Sequence, residues 1–361
     1  MNNFLKITAL ATLTIPAILF AEDDEFFTPK STIGGYGELH YNHSKADGSD
    51  AEKILDFHRF VLFYSHAWTP KWSFKSEVEL EHNFVKEGQG ELELEQAYID
   101  YHHSDEFGFQ VGVVLPSVGL INEWHEPPLF LSVERPSYSK NIIPTTWFGN
   151  GAAIYGNVKG FDYKFTVMEG LDATGFSSSG IRSGRQKGFE SNAEDLLYNF
   201  RLNYTGVNGL LVGTSFSYNN ATHVDSSSNN SVSLFEFHAK YDANNFVGVF
   251  ELGNITYGEP DLIGGVESSF GYYLDLGYNV GSFMNCDTKI IPFFRWEDYN
   301  TAAKTEAGGD SEKANHLTTW MVGLSVKPID QVVFKVDYGV SKNELSDAKT
   351  KMFNFGAGYM F

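Results

Sequence analysis

A single cysteine, Cys286, stands in 361 residues. One thiol excludes an intrachain disulfide framework and any metal site built on several cysteines. Cations are also scarce, with 26 Lys and Arg against 46 Asp and Glu and a formal charge of −20. Neutralising a phosphate backbone takes lysine and arginine, so a nucleic acid is not an expected partner. Past residue 21 no stretch approaches the roughly 18 apolar residues of a spanning helix, and mean hydropathy is −0.24. The remaining choices are a soluble protein or a β-barrel. What the chain has in abundance is aromatic: 31 Phe and 19 Tyr help bring Phe, Trp and Tyr to 16%.

The first residues form a segment of their own. Met1–Lys6 carries one positive charge, Ile7–Leu19 is apolar, and Ala21 precedes the run Glu22-Asp23-Asp24-Glu25. That layout predicts a secretory signal peptide over residues 1–21, cleaved after Ala21. The apolar part is shorter than the roughly 20 residues of a spanning helix, which argues against an uncleaved anchor. Lys6 is the only charge in it, so its removal takes the net charge from −20 to −21. The mature chain, residues 22–361, shows no linker that would divide it.

Alternation with a period of two dominates the rest, as two-faced strands require. In Trp72–Phe84, residues Trp72, Phe74, Val78, Leu80 and Phe84 share one face, with Ser76 and His82 as polar exceptions. Ser73, Lys75, Glu77, Glu79, Glu81 and Asn83 share the other. Phe270–Val280 repeats the pattern, and so do Phe107–Val113, Phe161–Val167, Leu196–Tyr204, Phe235–Tyr241, Trp320–Val326 and Val332–Tyr338. No window has a helical period.

Short connections such as 69–71, 157–160, 242–245 and 328–330 alternate with longer polar ones at 44–53, 170–194, 219–231, 301–316 and 341–350. Tight turns on one side and long loops on the other are what an up-and-down membrane barrel produces. The expected fold is therefore all-β, a transmembrane antiparallel barrel of about 16 strands. In the last segment Phe353, Phe355, Ala357, Tyr359 and Phe361 fall on one face. An apolar strand ending on Phe resembles the signal read by the barrel assembly machinery of the outer membrane.

Several segments in order resemble the phosphate-selective porin O and P family. GGYGELHYN and DFHRFVLFYSHAWTPKWSFKSEVELEH look like its opening strand, arginine-containing second strand and third strand. ELEQAYIDYHHSDEFGFQVGVVLPSVGL resembles the stretch ending in Gly-x-x-x-Pro, here Gly112 to Pro116. ERPSY and IIPFFRWEDY also fit, with Arg295 and Glu297 where the family tends to place an arginine–aromatic–glutamate trio. The resemblance implies a homotrimer of sixteen-stranded barrels in the outer membrane, and a loop after the fifth strand that folds inward to narrow the pore. Counting strands puts Ser117–Thr146 there, about 30 residues long, and a connection of that length has a purpose or a structure of its own. It carries Glu123, His125, Glu126, Glu134, Arg135 and Lys140, and it is stiffened by Pro127, Pro128, Pro136 and Pro144. An outer lid is the alternative.

Selectivity departs from the resemblance. The family's named members choose anions through basic pore linings. Strand parity here turns Glu38, Asp56, Glu77, Glu79, Glu81, Asp100, Asp162, Glu236, Glu251, Asp275, Glu297 and Asp337 inward. The inward bases are Lys75, Lys164, Arg201, Lys240, Arg295 and Lys335, a set that one bulge could alter. An acid-rich wall gathers cations and repels phosphate. The basic cluster Arg182, Arg185 and Lys187 lies in the 170–194 connection and reads as a solvated loop tip, with an anion funnel as the alternative.

Catalysis is not expected. Neither a Gly-x-Ser-x-Gly elbow nor a His-Glu-x-x-His pair is present, and no cofactor pattern appears. Glu77, Glu79 and Glu81 follow one another at about 7 Å along a strand face, which reads as charged wall paired with Lys75 and the facing strands. His102 and His103 point opposite ways, while His40, His58 and His238 point inward and read as lining, although they could approach a common ion. Acidic runs at 47–52 and 306–312 could hold divalent cations that bridge lipopolysaccharide, or be solvated loops. Cys286 falls in a short turn without a role. The expected function is passive diffusion of ions and small hydrophilic solutes with weak cation preference. Two alternatives stay open: an anion- or phosphate-selective porin, and a structural or adhesive barrel with a plugged lumen.

Overall fold

The structure is a computed structural model that describes residues 27–86, 89–223, 228–284 and 286–361. The expected signal peptide, residues 1–21, lies outside the described residues. Sixteen strands follow one another: β1 Lys30–Ala46, β2 Glu52–Ala67, β3 Trp72–Glu81, β4 Leu92–Ser104, β5 Phe107–Val114, β6 Gly149–Val158, β7 Phe161–Met168 and β8 Leu197–Val207. Then come β9 Leu210–Ala221, β10 Asn230–Ala243, β11 Phe246–Tyr257, β12 Val266–Tyr278, β13 Lys289–Thr305, β14 His316–Ile329, β15 Val332–Asn343 and β16 Lys349–Met360. Each pairs antiparallel with its chain neighbours, and β1 pairs with β16, so the sheet closes on itself. Closure leaves no edge with unpaired backbone groups, which hydrocarbon does not tolerate. No described helix is long and apolar enough to cross a membrane.

Alternation sorts the side chains. Along β12, Phe270, Leu276 and Tyr278 lie on the exposed outer surface, while Tyr273 and Asp275 are buried inside. The seam is completed by the last residue: Phe361 N–H donates to Gly35 O at 2.9 Å, and Gly35 N–H donates to Phe361 O at 3.0 Å. The Phe361 ring stacks on Phe60 across the seam, with centroids 6.4 Å apart. At one end of the barrel the hairpins are tight, with Asn244 and Asn245 at φ +52° and +64° between β10 and β11, the left-handed pair that a two-residue turn needs.

Several strands run further into the expected loops than their sequence suggests, β13 to Thr305 and β1 to Ala46. β3 goes the other way and stops at Glu81, short of the expected Phe84. His82 and Asn83 take left-handed backbone at φ +57° and +62°, and a left-handed pair ends a pleat.

Two bulges alter parity on the inner wall. Register passes from Glu38↔Arg59 to Leu39↔Phe57, so His58 is an extra residue in β2. It passes from Glu77↔Gln96 to Val78↔Leu94, so Glu95 is an extra residue in β4. An extra residue lets neighbours share a face. Arg59 and Glu95 thereby join the interior, where strict alternation from Asp56 and Asp100 had placed neither.

Gly112 closes β5 onto β4. A Cβ there would stand 2.2 Å from the carbonyl oxygen of Ala97 and 2.8 Å from Tyr98 Cα, at a φ of +144°. Both neighbours are backbone and cannot yield. Gly112→Val is expected to cost about 3 kcal/mol or more, read as loss of the fast-migrating unboiled band in gel electrophoresis. A variant that keeps the wild-type migration and melting would refute this close packing.

Candidate pore and its inward segment

The chain between β5 and β6 lies inside the barrel, and charged side chains of the wall bond its backbone at several points, with Asn199 adding a pair of bonds to Ser117. Three acids accept from its N–H groups: Glu251 from Leu120 at 3.3 Å, Asp337 from Val133 at 2.7 Å, and Glu297 from Tyr138 at 3.1 Å. Three bases donate to its carbonyls: Lys327 to Pro128 at 2.5 Å, Lys335 to Ser132 at 2.7 Å, and Arg295 to Glu134 at 3.2 Å. Alternating acid and base on β11, β13, β14 and β15 suits a peptide backbone, whose donors and acceptors also alternate. Gly119, at φ +66°, makes one of these contacts possible. A Cβ on it would lie 2.7 Å from Glu251 Oε2.

The two motifs ERPSY and IIPFFRWEDY meet here. Arg295 grips Asp275 with two bonds of 2.6 Å, holds the carbonyl of Glu134, and lies beside Glu297, which receives the Tyr138 N–H. Arg295 is 1% exposed. Lys335 also stands 3.6 Å from the centre of the Phe130 ring.

Part of the interior is apolar. Val118, Tyr138, Ile142, Ile143 and Trp147 of the inward segment pack with Met168, Leu171, Leu234, Ile255 and Tyr273 in one buried cluster. Open space is found along another part of the wall. A cavity of about 460 Å³ is bounded by Glu38, Arg59, Glu81, Glu134, Arg135, Lys140 and Arg182, with His40, His58 and His82 beside them. A second, of about 340 Å³, is lined by residues of β1–β4, including Thr32, Phe63, Lys75, Glu77 and Gln96. The larger lies against β1–β3 and the smaller against β1–β4.

The expected lining residues fall into separate groups. Arg59 pairs with Glu38 at 2.8 Å, Glu79 at 3.4 Å and Glu81 at 3.8 Å, so Glu79 and Glu81 of β3 are answered by an arginine rather than by Lys75. Lys75 is exposed and pairs instead with Asp100 at 3.6 Å. Glu123 faces another wall, bonded to Arg201 at 2.6 Å and to Lys164 at 3.3 Å, while Arg201 also reaches Asp162. Glu134 accepts from Asn42 at 2.8 Å and lies 2.9 Å from His40. Arg135 donates to the carbonyl of His125 at 3.3 Å, and Glu126 is half-buried. His125 lies 3.3 Å from Glu77 and 3.6 Å from Glu95.

The inward histidines do not gather. His40 stacks on His58 at 5.0 Å, but His238 is bonded to Glu236 at 2.8 Å and to Asn203 at 2.9 Å on distant strands. Asp56 lies between His58 and His82, at 3.2 and 2.7 Å. Glu236 and Lys240 are on β10, with Glu236 buried and Lys240 half-buried. Cys286 is exposed in the connection from β12 to β13.

The reading of the 170–194 connection as a solvated tip is corrected. Arg185 donates to the carbonyls of Thr145 (3.2 Å) and Thr146, clamping the end of the inward segment. Arg182 borders the larger cavity, and Lys187 bonds Glu91 at 2.8 Å and also Glu93. Burial, with Arg182 nearby, pulls Arg185 down to about 10, which leaves it cationic at neutral pH. A loop built on basic residues folds onto another because the carbonyls at the end of the inward segment need donors.

Comparison with known proteins agrees with this architecture. The model of the phosphate-selective porin O and P family matches residues 34–248. An uncharacterized protein of Aquifex aeolicus is 33% identical over 328 residues, covering 85% of this chain and 74% of that protein. The anion-selective porin of Comamonas acidovorans shares the fold with a TM-score of 0.64 at 11% identity, covering 92% of this chain and 100% of that one. Salmonella typhi OmpF, solved in a complex with daunomycin, gives 0.63 at 14% identity over 92% and 98%. OmpT of Vibrio cholerae, in its trimer form, gives 0.60 at 14% identity over 93% and 100%. With its closed sixteen-stranded barrel, its inward segment and these matches, the chain belongs to the phosphate-selective porin O and P family.

Proposed function

We propose that the protein is an outer-membrane channel whose passage follows the β1–β4 wall and weakly prefers small anions. The observation that carries this reading is the lining of the larger cavity: Arg59, Arg135, Lys140 and Arg182 against Glu38, Glu81 and Glu134. Four cations less three carboxylates leave +1. The expectation of cation preference counted every inward acid as facing water. Glu251, Glu297 and Asp337 instead receive the N–H groups of the inward segment and are 2% exposed or less. An acid engaged beneath protein does not set the potential of the passage as one facing water does.

The remaining parts of the reading follow the same scaffold. Residues 1–21 direct export, and the barrel assembles as a homotrimer. Lys45 faces Lys351 across β1 and β16 and Lys349 faces Lys342 across β16 and β15, with Lys342, Lys349 and Lys351 next to Trp296 and Trp320. These outward lysines suit the phosphates of lipopolysaccharide. Reconstitution in planar bilayers under a potassium chloride gradient tests the channel. Ion-sized current steps and a zero-current potential on the chloride side are expected. A potential on the potassium side overturns the anion preference. Absence of steps would select a barrel closed by the apolar packing around Ile142, Ile143 and Trp147, the second reading.

A further inference from the structure

We propose that Glu77, Glu95 and His125 bind one divalent transition-metal ion, which fastens the inward segment to the β3–β4 wall. The three side chains come from β3, β4 and the inward segment, and they are 2%, 0% and 3% exposed. One ligand atom from each lies within 4.8 Å of the other two.

The geometry of Glu95 is the first argument. It is the extra residue of the β4 bulge, turned inward where strict alternation would send it to the lipid. Both of its carboxylate oxygens are buried without a hydrogen-bond partner among the described residues, and so is Nδ1 of His125. Burying a carboxylate without hydrogen bonds is expensive, so a structure that turns one inward has a counter-charge for it. The nearest cationic candidate is His125 Nε2, 3.6 Å from Glu95 Oε2 and 3.3 Å from Glu77 Oε1. One imidazole carries one positive charge at most against two carboxylates, and Arg135 and Arg59, which also face them, make no ion pair with either.

A divalent ion closes that gap. Two carboxylates, a neutral imidazole and a 2+ ion sum to zero. Ligands about 2.0–2.2 Å from a tetrahedral zinc stand roughly 3.4 Å apart, close to both separations from Nε2. The donor set of one nitrogen and two oxygens suits zinc, manganese or ferrous iron, and it leaves a coordination position for water. Surrounding groups hold the ligands in place. Gln96 Nε2 donates to the second oxygen of Glu77 at 2.5 Å, Arg135 donates to the carbonyl of His125 at 3.3 Å, and Tyr36 packs edge-on against the His125 ring at 6.0 Å. Partners of this kind commonly orient metal ligands.

The other cluster with ligand spacing, Asp56, His58 and His82, differs in each respect. It is more exposed, and its carboxylate already lies within hydrogen-bond distance of both histidines. Those bonds account for it without an ion. The proposed site also does not depend on which ions the channel prefers.

The test uses protein extracted from outer membranes, stripped with a chelator and titrated with zinc ion alone. One equivalent per chain is expected, with an X-ray absorption spectrum showing nitrogen and oxygen ligands and a single imidazole. Glu95→Gln and His125→Asn should each weaken binding at least tenfold, whereas His58→Asn should leave it unchanged. Folding of each variant is read from its unboiled migration. Failure to retain one equivalent, a spectrum with two imidazoles, or full affinity in Glu95→Gln would each overturn the proposal. Should both variants fail to form barrels, the wild-type stoichiometry and spectrum decide, because of the two clusters with ligand spacing among the described residues only that of Asp56 supplies two imidazoles.

Discussion

Replacing Arg295 with methionine should destabilise the barrel by about 3–5 kcal/mol, the cost of stranding a buried charge. The guanidinium is 1% exposed and makes two 2.6 Å bonds to Asp275. It lies 3.9 Å from Glu297 and donates to the carbonyl of Glu134. Methionine fills similar space but leaves Asp275 and Glu297, both buried, without a cation. The inward segment loses one of its wall contacts directly. It loses firm support for a second, because Glu297 receives the Tyr138 N–H. Expected results are a lower temperature for loss of the unboiled band and larger, noisier current steps as the segment loosens. Adding Asp275→Asn should recover part of the melting loss by removing one stranded charge. If Arg295→Met melts as wild type does, the ion cluster does not hold the segment.

Reversing two cations of the passage should reverse its selectivity. Arg135→Glu with Arg182→Glu changes the lining by −4, from +1 to −3 by the count above. Both side chains border the larger cavity, one from the inward segment and one from the 170–194 connection. In 0.1 M salt the screening length is about 10 Å. The ratio of cation to anion permeability is expected to rise roughly tenfold, with the zero-current potential changing sign. In 1 M salt, where screening acts over about 3 Å, the change should shrink. An unchanged potential at low salt in a folded double variant would place the ion path elsewhere.

The barrel was legible because its physics is local. A strand with one face to lipid and one to the interior must alternate, and Phe270–Tyr278 does so residue by residue. Inward positions were legible for the same reason wherever the pleat is regular, as with Asp275, Arg295, Lys335 and Asp337. Where one residue is inserted, alternation misleads. Arg59 and Glu95 were missed for that reason, and no residue near them marks a bulge, since the extra residue follows from pairing with the next strand. The end of β3 was misjudged because His82 continues a polar–apolar pattern while its backbone turns left-handed.

Charge is where composition and structure part most clearly. Counting acids along strands treats each as a free lumen charge. The fold instead uses Glu251, Glu297 and Asp337 as acceptors for a segment that crosses the interior, and it sets Arg59 among three glutamates. The contact of Arg185 with the end of that segment joins residues far apart in the chain, and no local pattern announces it.

The scarcity of cysteine and cations, the want of a long apolar run and the strict alternation were enough to determine an acidic all-β chain with a lipid-facing surface. Those properties depend on each residue and its immediate neighbours. Tertiary structure alone decided which acids are spent on the inward segment, where open space remains, and which cations border it. A charge acts on a passing ion through distance and burial, and both are set by strands and loops that meet only after the barrel has closed.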